Sequence, residues 1–188
     1  MVYIIIGLIA FVFYFIYDIN SIRWENRIAH TLFFAGTCML TLCTILMIVS
    51  ACTEKNENVF RSGYTCIFAV LSAVCLFLMV YSLFFALPFD ETYVKTDSKP
   101  KVCDTGMYAI CRHPGVLWFC LFYFFMAVAL RDITFIMSST VYSLCNIAYG
   151  LFEDCYIFPK RFEDYDRYKK ETPMFIPTPQ SIKKALKR

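Results

Sequence analysis

Three polar or aromatic residues and a proline mark the entry to a long apolar run in the stretch "GMYAICRHPGVLWF". Arg112, His113 and Pro114 stand directly before the run, and Tyr108 lies one helical turn earlier. An arginine can bind a carboxylate or a phosphate through a forked pair of hydrogen bonds. Each residue also has a purely structural explanation, since arginine anchors helix ends at a membrane surface and proline is favoured at the first helical position. Whether they form a site depends on what the fold brings beside them.

A pair of carboxylates follows the last apolar run, at Glu153 and Asp154. A carboxylate holds an ammonium group, and the aromatic residues that come next favour a flat ring or a cation. Alone, the two acids are equally compatible with a solvated tail. A basic pair and an acidic pair together suit a zwitterionic ligand with an aromatic ring, such as S-adenosylmethionine. A nicotinamide cofactor, with its phosphates, would also suit Arg112.

The elements that carry these residues are apolar helices. Of the 188 residues, 59% are hydrophobic and 18% are charged, and the mean hydropathy is +0.56, whereas a soluble domain is about one quarter charged. The composition predicts an all-α integral membrane protein with a single domain. Spanning a bilayer takes about 20 residues, and five uncharged segments approach that length, at residues 2–17, 32–52, 64–87, 116–130 and 133–152. We therefore expect five transmembrane helices.

The last two segments are joined by little more than Arg131 and Asp132. So short a connection predicts an antiparallel helical hairpin. The residues before the fourth segment and those after the fifth then lie at the same level. The sequence thus places Arg112 beside Glu153 and Asp154, although about 40 residues separate them.

The basic residues predict the orientation of the chain. With five spans, all but three of the 18 Lys and Arg residues fall on one side, and the exceptions are Lys55, Arg61 and Arg131. The N-terminus is then outside, and the C-terminal tail and both motifs face the cytosol. The net charge of +3 is compatible with contact to anionic lipid. Nothing in the pattern of basic residues favours nucleic acid.

The tail predicts one amphipathic helix and then an extended segment. Phe158, Phe162, Tyr165 and Tyr168 recur at helical spacing with charged residues between them. This helix is suited to lie along the headgroups or to fold over the bundle, and Pro173 ends it.

The ten cysteines lie mostly within or beside the apolar segments, where cysteine behaves as a small apolar residue. Only His30 and His113 could join them as imidazole ligands, so we expect no metal site. Cys52 and Cys66 both fall on the predicted outer side and could form a disulfide.

The ordered set of motifs resembles the isoprenylcysteine carboxyl methyltransferase family and its bacterial relatives. The family pattern is Gly-x-Tyr, Arg-His-Pro, a helical hairpin, an acidic pair and a Tyr-x-x-Tyr before Pro-x-Phe-x-Pro. In this chain the motifs occupy residues 106–114 and 153–177. Val116 and Trp118 depart from the Tyr and Gly that the family usually has after Arg-His-Pro, which bears on the substrate. Asp154 stands where the family has a second Glu.

The resemblance implies a membrane enzyme that uses S-adenosylmethionine to methylate a lipophilic or lipidated acceptor. It implies a location in the plasma membrane of a prokaryote. It assigns Arg112 and Glu153 as catalytic residues. It assigns these residues to the cofactor: Tyr108, Arg112, His113, Pro114, Glu153, Tyr165 and Tyr168.

Two other interpretations stay open at this point. The first is an NADPH-dependent membrane reductase similar to the steroid and sterol reductases. Those enzymes have a signature like Arg-His-Pro, usually followed by Asn-Tyr. This chain has Gly115 and Val116 at those two positions. The second is a membrane scaffold without catalytic activity, in which Arg112 and its neighbours serve only as anchors.

Overall fold

The fold is described by a computed structural model that covers residues 1–24, 26–54, 63–86 and 100–186. Within these ranges the chain forms helices, turns and loops, and no strand. The helices up to the hairpin are α1 (Val2–Arg23), α2 (Arg27–Glu54), α3 (Gly63–Phe84), the short α4 (Met107–Ile110), α5 (Pro114–Leu130) and α6 (Ile133–Phe152). The all-helical prediction is confirmed for the described residues.

Each of the five predicted segments coincides with one helix, and polar residues extend two of them. α1 continues past residue 17 to Arg23, and α2 begins at Arg27 instead of residue 32. The predictions followed the apolar runs, whereas a helix continues for as long as its backbone hydrogen bonds do. Several residues used in the predictions lie outside the described ranges: Lys55, Arg61, Leu87, Lys95, Lys99, Lys187 and Arg188.

Four helical stretches are long and apolar enough to cross a membrane: Val2–Arg23, Arg27–Glu54, Gly63–Phe84 and Ile133–Arg161. Their outer faces carry exposed phenylalanine, leucine, isoleucine and valine side chains, which a bilayer would solvate. The chain is therefore an integral membrane protein. Helix α5 is also apolar but has 17 residues, about 25 Å at the usual rise per residue, compared with a hydrocarbon core of about 30 Å.

Helices α5 and α6 form the antiparallel hairpin that the sequence predicts. Pro114 is the first residue of α5, and Arg131 ends that helix in a left-handed conformation with φ 51°. Asp132 then caps α6 by accepting a hydrogen bond from the Phe135 N–H at 2.7 Å. Helix α3 packs against α5, and α1 packs against both α6 and α2. The two ends of the hairpin therefore meet as expected.

Aromatic residues fill the space between the helices. Phe11, Phe119 and Tyr142 are buried there with other rings in edge-to-face and tilted contacts, arrangements that aromatic pairs favour. Cys52 and Cys66 remain thiols in the structure, so the disulfide considered from the sequence is not formed.

The tail differs from the single amphipathic helix predicted for it. A turn of π-helix (Glu153–Ile157) continues from α6, and then come α7 (Phe158–Arg161), α8 (Tyr165–Glu171) and α9 (Pro179–Leu186). Phe162 is extended, with φ −107° and ψ 139°, because the loop there is held to the segment before α4: the Glu163 N–H donates to the Pro100 carbonyl at 3.3 Å. The segment from Pro173 to Thr178 lacks helix, as predicted, but α9 was not predicted.

Candidate functional site

The predicted meeting of the two motifs is present in the structure, as a buried ion pair. The Nε of Arg112 donates to Asp154 Oδ1 at 2.7 Å, and its Nη2 donates to Asp154 Oδ2 at 3.3 Å. Arg112 is 8% exposed and Asp154 is 1% exposed. The residue that pairs with Arg112 is thus the second acid of the motif and not Glu153.

Asp154 is the centre of this cluster, because the tail reaches it as well. The Tyr165 hydroxyl donates to Oδ1 at 2.6 Å, and Lys169 Nζ lies 2.8 Å from Oδ2. His113 Nε2 lies 3.5 Å from Oδ1. A buried carboxylate needs such partners, since an unpaired charge in the interior is very unfavourable. Asp154 therefore joins the hairpin to the tail, a role that the sequence did not reveal.

Arg112 is almost fully engaged by the protein itself. Beyond the two bonds to Asp154, its Nη1 donates to the Lys169 carbonyl at 3.0 Å and to the Thr172 carbonyl. These are four of the five hydrogen bonds that a guanidinium can donate. In this conformation Arg112 holds the tail in place, and its predicted role as a ligand for a carboxylate stays a prediction.

The backbone of the Arg-His-Pro motif also pairs with the tail. The Arg112 N–H donates to the Pro173 carbonyl at 2.9 Å, and the His113 N–H donates to the Met174 carbonyl at 3.0 Å. These two bonds place the Phe175 ring against the hairpin. A Cβ atom on Gly150 would lie 3.1 Å from both this ring and a methyl group of Val116, so the absent side chain at residue 150 makes room for the tail.

The predicted tyrosines of the tail also bond to the two motifs. The Tyr168 hydroxyl donates to the Tyr108 carbonyl at 2.6 Å, and the Tyr108 hydroxyl donates to the Ser82 carbonyl of α3 at 3.0 Å. Burial raises the pKa of the Tyr168 hydroxyl. Burial and the bond to Asp154 likewise raise the pKa of Tyr165. Both hydroxyls are therefore protonated at neutral pH and act as hydrogen-bond donors.

His113 lies between two tail rings. The Phe158 ring stacks on it at 5.5 Å with an angle of 13°, and Phe175 lies at 5.5 Å with an angle of 48°. His113 is buried, and among the described residues its Nε2 has no hydrogen-bond partner within bonding distance and geometry. Thr172 Oγ1 is likewise buried and has no hydrogen-bond partner among the described residues. The cluster thus contains two buried polar atoms that a ligand could satisfy.

Glu153 faces a second polar group at the end of α1. Its Oε2 lies 3.8 Å from His113 Nδ1, and its side chain is 18% exposed. Its electrostatic neighbours include Asp18, Tyr149 and Arg161. Asp18 is buried and accepts a hydrogen bond from the Tyr149 hydroxyl at 2.6 Å.

Sequence reasoning missed Asp18. The predicted first helix ended at residue 17, and one signal was present: Asp18 is the first charged residue after that apolar run. Pro114 has the structural role that its position suggested, as the first residue of α5.

Cys111 stands beside the motif but is not poised as a nucleophile. Burial raises the pKa of its thiol to about 11. The thiolate, which is the reactive form, is therefore scarce at neutral pH.

Asp164 anchors the segment before the motif to the tail. Its Oδ1 accepts the Val102 N–H at 2.8 Å, and its Oδ2 accepts Arg167 Nη2 at 2.8 Å. Partial burial opposes ionisation of Asp164, but the bonds from Arg167 and Val102 outweigh it and lower the pKa of this carboxyl.

We expect Asp164→Asn to lower the free energy of unfolding by about 1 kcal/mol at neutral pH, the usual contribution of one hydrogen bond. A carboxyl whose pKa is lowered by folding stabilises the protein above the pKa that it has in the unfolded chain. This stabilisation is lost as the pH falls through the pKa that it has in the folded protein. Wild type and variant should therefore differ in melting temperature at pH 7 and converge below about pH 4. Melting curves in detergent from pH 3 to 7 measure this, and a difference that grows towards low pH would contradict it.

A groove of about 610 Å³ lies at the other end of the hairpin, near Arg131, and not at the motif. At the motif, side chains of the tail contact Asp154 and His113 directly. Comparison with protein-family models, with curated proteins and with solved structures finds no match to this chain.

Proposed function

We propose that this chain is an S-adenosylmethionine-dependent methyltransferase of the isoprenylcysteine carboxyl methyltransferase type, acting on a lipophilic acceptor at the membrane surface. The observation that carries the proposal is the convergence of all the motif pieces in one buried cluster. Arg112 and His113 contact Asp154, and the tail tyrosines and Phe175 close over them. A pure anchor would place Arg112 towards the headgroups, whereas here its charge is buried and paired.

The side chains fit the polar end of such a cofactor in part. The partly exposed carboxylate of Glu153 is suited to hold an ammonium group. His113 Nε2 makes no hydrogen bond among the described residues, although Asp154 Oδ1 lies 3.5 Å away, and it is suited to a carboxylate of the ligand. The Phe158 and Phe175 rings are suited to a cation or an adenine ring. Arg112 then contributes by holding the tail, through Asp154. S-adenosylmethionine, when bound, supplies a methyl group already activated on a sulfonium.

The residues of this chain then have two tasks. They hold the acceptor in line with the methyl group, and they exclude water from the reacting atoms. Glu153 is the carboxylate placed to accept a proton from the acceptor, since Asp154 is fully engaged by Arg112, Lys169 and Tyr165. An acceptor that is itself lipophilic reaches this level sideways from the bilayer.

The proposal includes five spanning helices with the N-terminus outside. Helix α5 crosses as the fourth span in chain order, since it begins beside Asp154 and ends at the far turn with Arg131. The end of the hairpin that bears the motifs then shares its side with Arg23, Arg27 and the basic tail. The uneven distribution of basic residues supports a cytosolic location for that side.

Binding of radiolabelled S-adenosylmethionine to the purified full chain in nanodiscs tests the proposal. We expect saturable binding that weakens about tenfold or more in His113→Ala and in Glu153→Gln, because each loses a hydrogen bond to a charged group. Asp166→Asn, an exposed tail acid, is the matched control and should bind as wild type does. Binding of NADPH without S-adenosylmethionine would instead favour a reductase, and binding of neither would favour a scaffold; both results contradict the proposal.

A further inference from the structure

A groove between α5 and α6 runs from the hairpin turn towards the middle of the bundle. Its walls extend from Cys120 to Arg131 on α5 and from Ile136 to Ile147 on α6, and its volume is about 610 Å³. Each wall is about 16 Å long at the usual helical rise. That length corresponds to one leaflet of a hydrocarbon core, which is about 15 Å thick.

The groove opens sideways, towards the lipid. Phe124 and Leu144 on its rims are 58% and 62% exposed, whereas Tyr123 and Ser139 on its floor are buried. A side chain on the outer rim of a membrane-spanning hairpin faces the bilayer. An acyl chain can therefore enter along the whole length of the groove without crossing a polar barrier.

The hydroxyl groups of the groove do not make it polar. Ser139 and Thr140 donate to the Ile136 carbonyl at 3.0 and 2.7 Å. The Tyr123 hydroxyl pairs with Thr44 Oγ1 at 2.6 Å. Because these three hydroxyl groups are satisfied within the protein, the surface they present suits an apolar chain rather than a polar ligand.

The Arg131 side chain stands at the mouth of the groove. The Arg131 guanidinium lies 4.3 Å from the centre of the Tyr64 ring, which holds it over the opening. Arg131 is exposed, and within the described ranges no carboxylate forms an ion pair with it. A guanidinium fixed on a ring retains N–H edges that suit a phosphate.

We infer that this groove binds one anionic phospholipid, with an acyl chain between α5 and α6 and the phosphate at Arg131. The length of the groove matches an acyl chain of one leaflet, and Arg131 matches a phosphate. An anionic lipid is favoured over a zwitterionic one because none of the described residues that line the groove is a carboxylate that could hold a choline or an ethanolamine. The site lies at the opposite end of the hairpin from Asp154, so the inference does not depend on methyl transfer.

Photolabelling of the full chain tests the inference. The protein is reconstituted in phosphatidylcholine vesicles with a trace of phosphatidylglycerol that carries a diazirine in its acyl chain. After illumination, adducts are mapped by mass spectrometry. We expect them to concentrate on residues 120–131 and 136–147, and to be displaced by unlabelled phosphatidylglycerol but not by more phosphatidylcholine. Adducts spread evenly over all lipid-facing helices, or equal displacement by both lipids, would overturn the inference without any variant.

Single variants distinguish the contribution of the lipid headgroup from that of the acyl chain. Arg131→Gln should lower labelling about tenfold, as expected when one hydrogen bond to a charged group is lost. Arg27→Gln, at the other end of the bundle, removes the same charge and should leave labelling unchanged. Ala127→Phe fills the groove and should exclude the lipid whatever its headgroup. Equal labelling of wild type and Arg131→Gln would overturn the assignment of the phosphate site.

Discussion

Replacing Asp154 with asparagine is expected to lower the free energy of unfolding by about 3–5 kcal/mol, the usual cost of removing one member of a buried ion pair. The variant has nearly the same shape, but Arg112 then remains buried without its countercharge. Tyr165 and Lys169 lose the same partner. Because these residues join the tail to the hairpin, the tail should detach before the bundle unfolds.

Two measurements check this expectation. Thermal unfolding in detergent should show a large decrease in melting temperature, and trypsin should cut faster after Lys169 and Lys170 under native conditions. Asp166→Asn removes an equal charge from an exposed position of the same tail and should change neither result.

The neighbouring acid provides a sharper comparison. Glu153→Gln changes a carboxyl to an amide one residue earlier, in a side chain that is not bonded to Arg112. We expect it to unfold at a higher temperature than Asp154→Asn while it loses more of the proposed cofactor binding. Equal destabilisation by the two variants would refute the central structural role of Asp154.

Replacing Gly7 with alanine is expected to destabilise the bundle by about 2–3 kcal/mol, as overpacking of a filled core does. A Cβ atom at Gly7 would lie 1.9 Å from Cε1 of Tyr142. That ring cannot move aside easily, because it is fully buried and its hydroxyl donates to the Tyr3 carbonyl at 2.6 Å. Small residues at helix contacts in membranes allow the two helices to approach closely. With alanine in place of Gly7, α1 would therefore have to move away from α6.

Gly63→Ala is the matched control for this experiment. Gly63 begins α3, and a Cβ atom there would have no heavy atom of the described residues within 4 Å. Its replacement should leave the melting temperature unchanged or raise it slightly, since alanine is more favourable in a helix than glycine. If Gly7→Ala melts as Gly63→Ala does, α1 and α6 are not packed as described.

The course of the long helices and the hairpin could be predicted because they depend on local properties. Uninterrupted apolar runs of about 20 residues form helices in a membrane, where every backbone group must be paired internally. The two residues between α5 and α6 then leave only an antiparallel arrangement. For this reason Arg112 and the acidic pair could be placed at one level before any coordinates were known.

The tail could be predicted only in part. The aromatic spacing correctly indicated helix around Phe158 and around Tyr168, but the chain between them breaks at Phe162. The break depends on bonds to Pro100 and Val102, residues about 60 positions earlier in the chain. Periodicity within a segment carries no information about such a partner.

The choice between two adjacent acids lay beyond the sequence for a similar reason. Successive residues on a helix point about 100° apart, so only one of Glu153 and Asp154 can face Arg112, and the π-helical turn after α6 changes the direction of both. By itself the sequence determined that the chain is a helical membrane protein and that a basic and an acidic motif share one end of a hairpin. Only the tertiary structure decided that Asp154 takes the ion pair and that Glu153 faces Asp18, because side-chain direction depends on how the helices and the tail pack together.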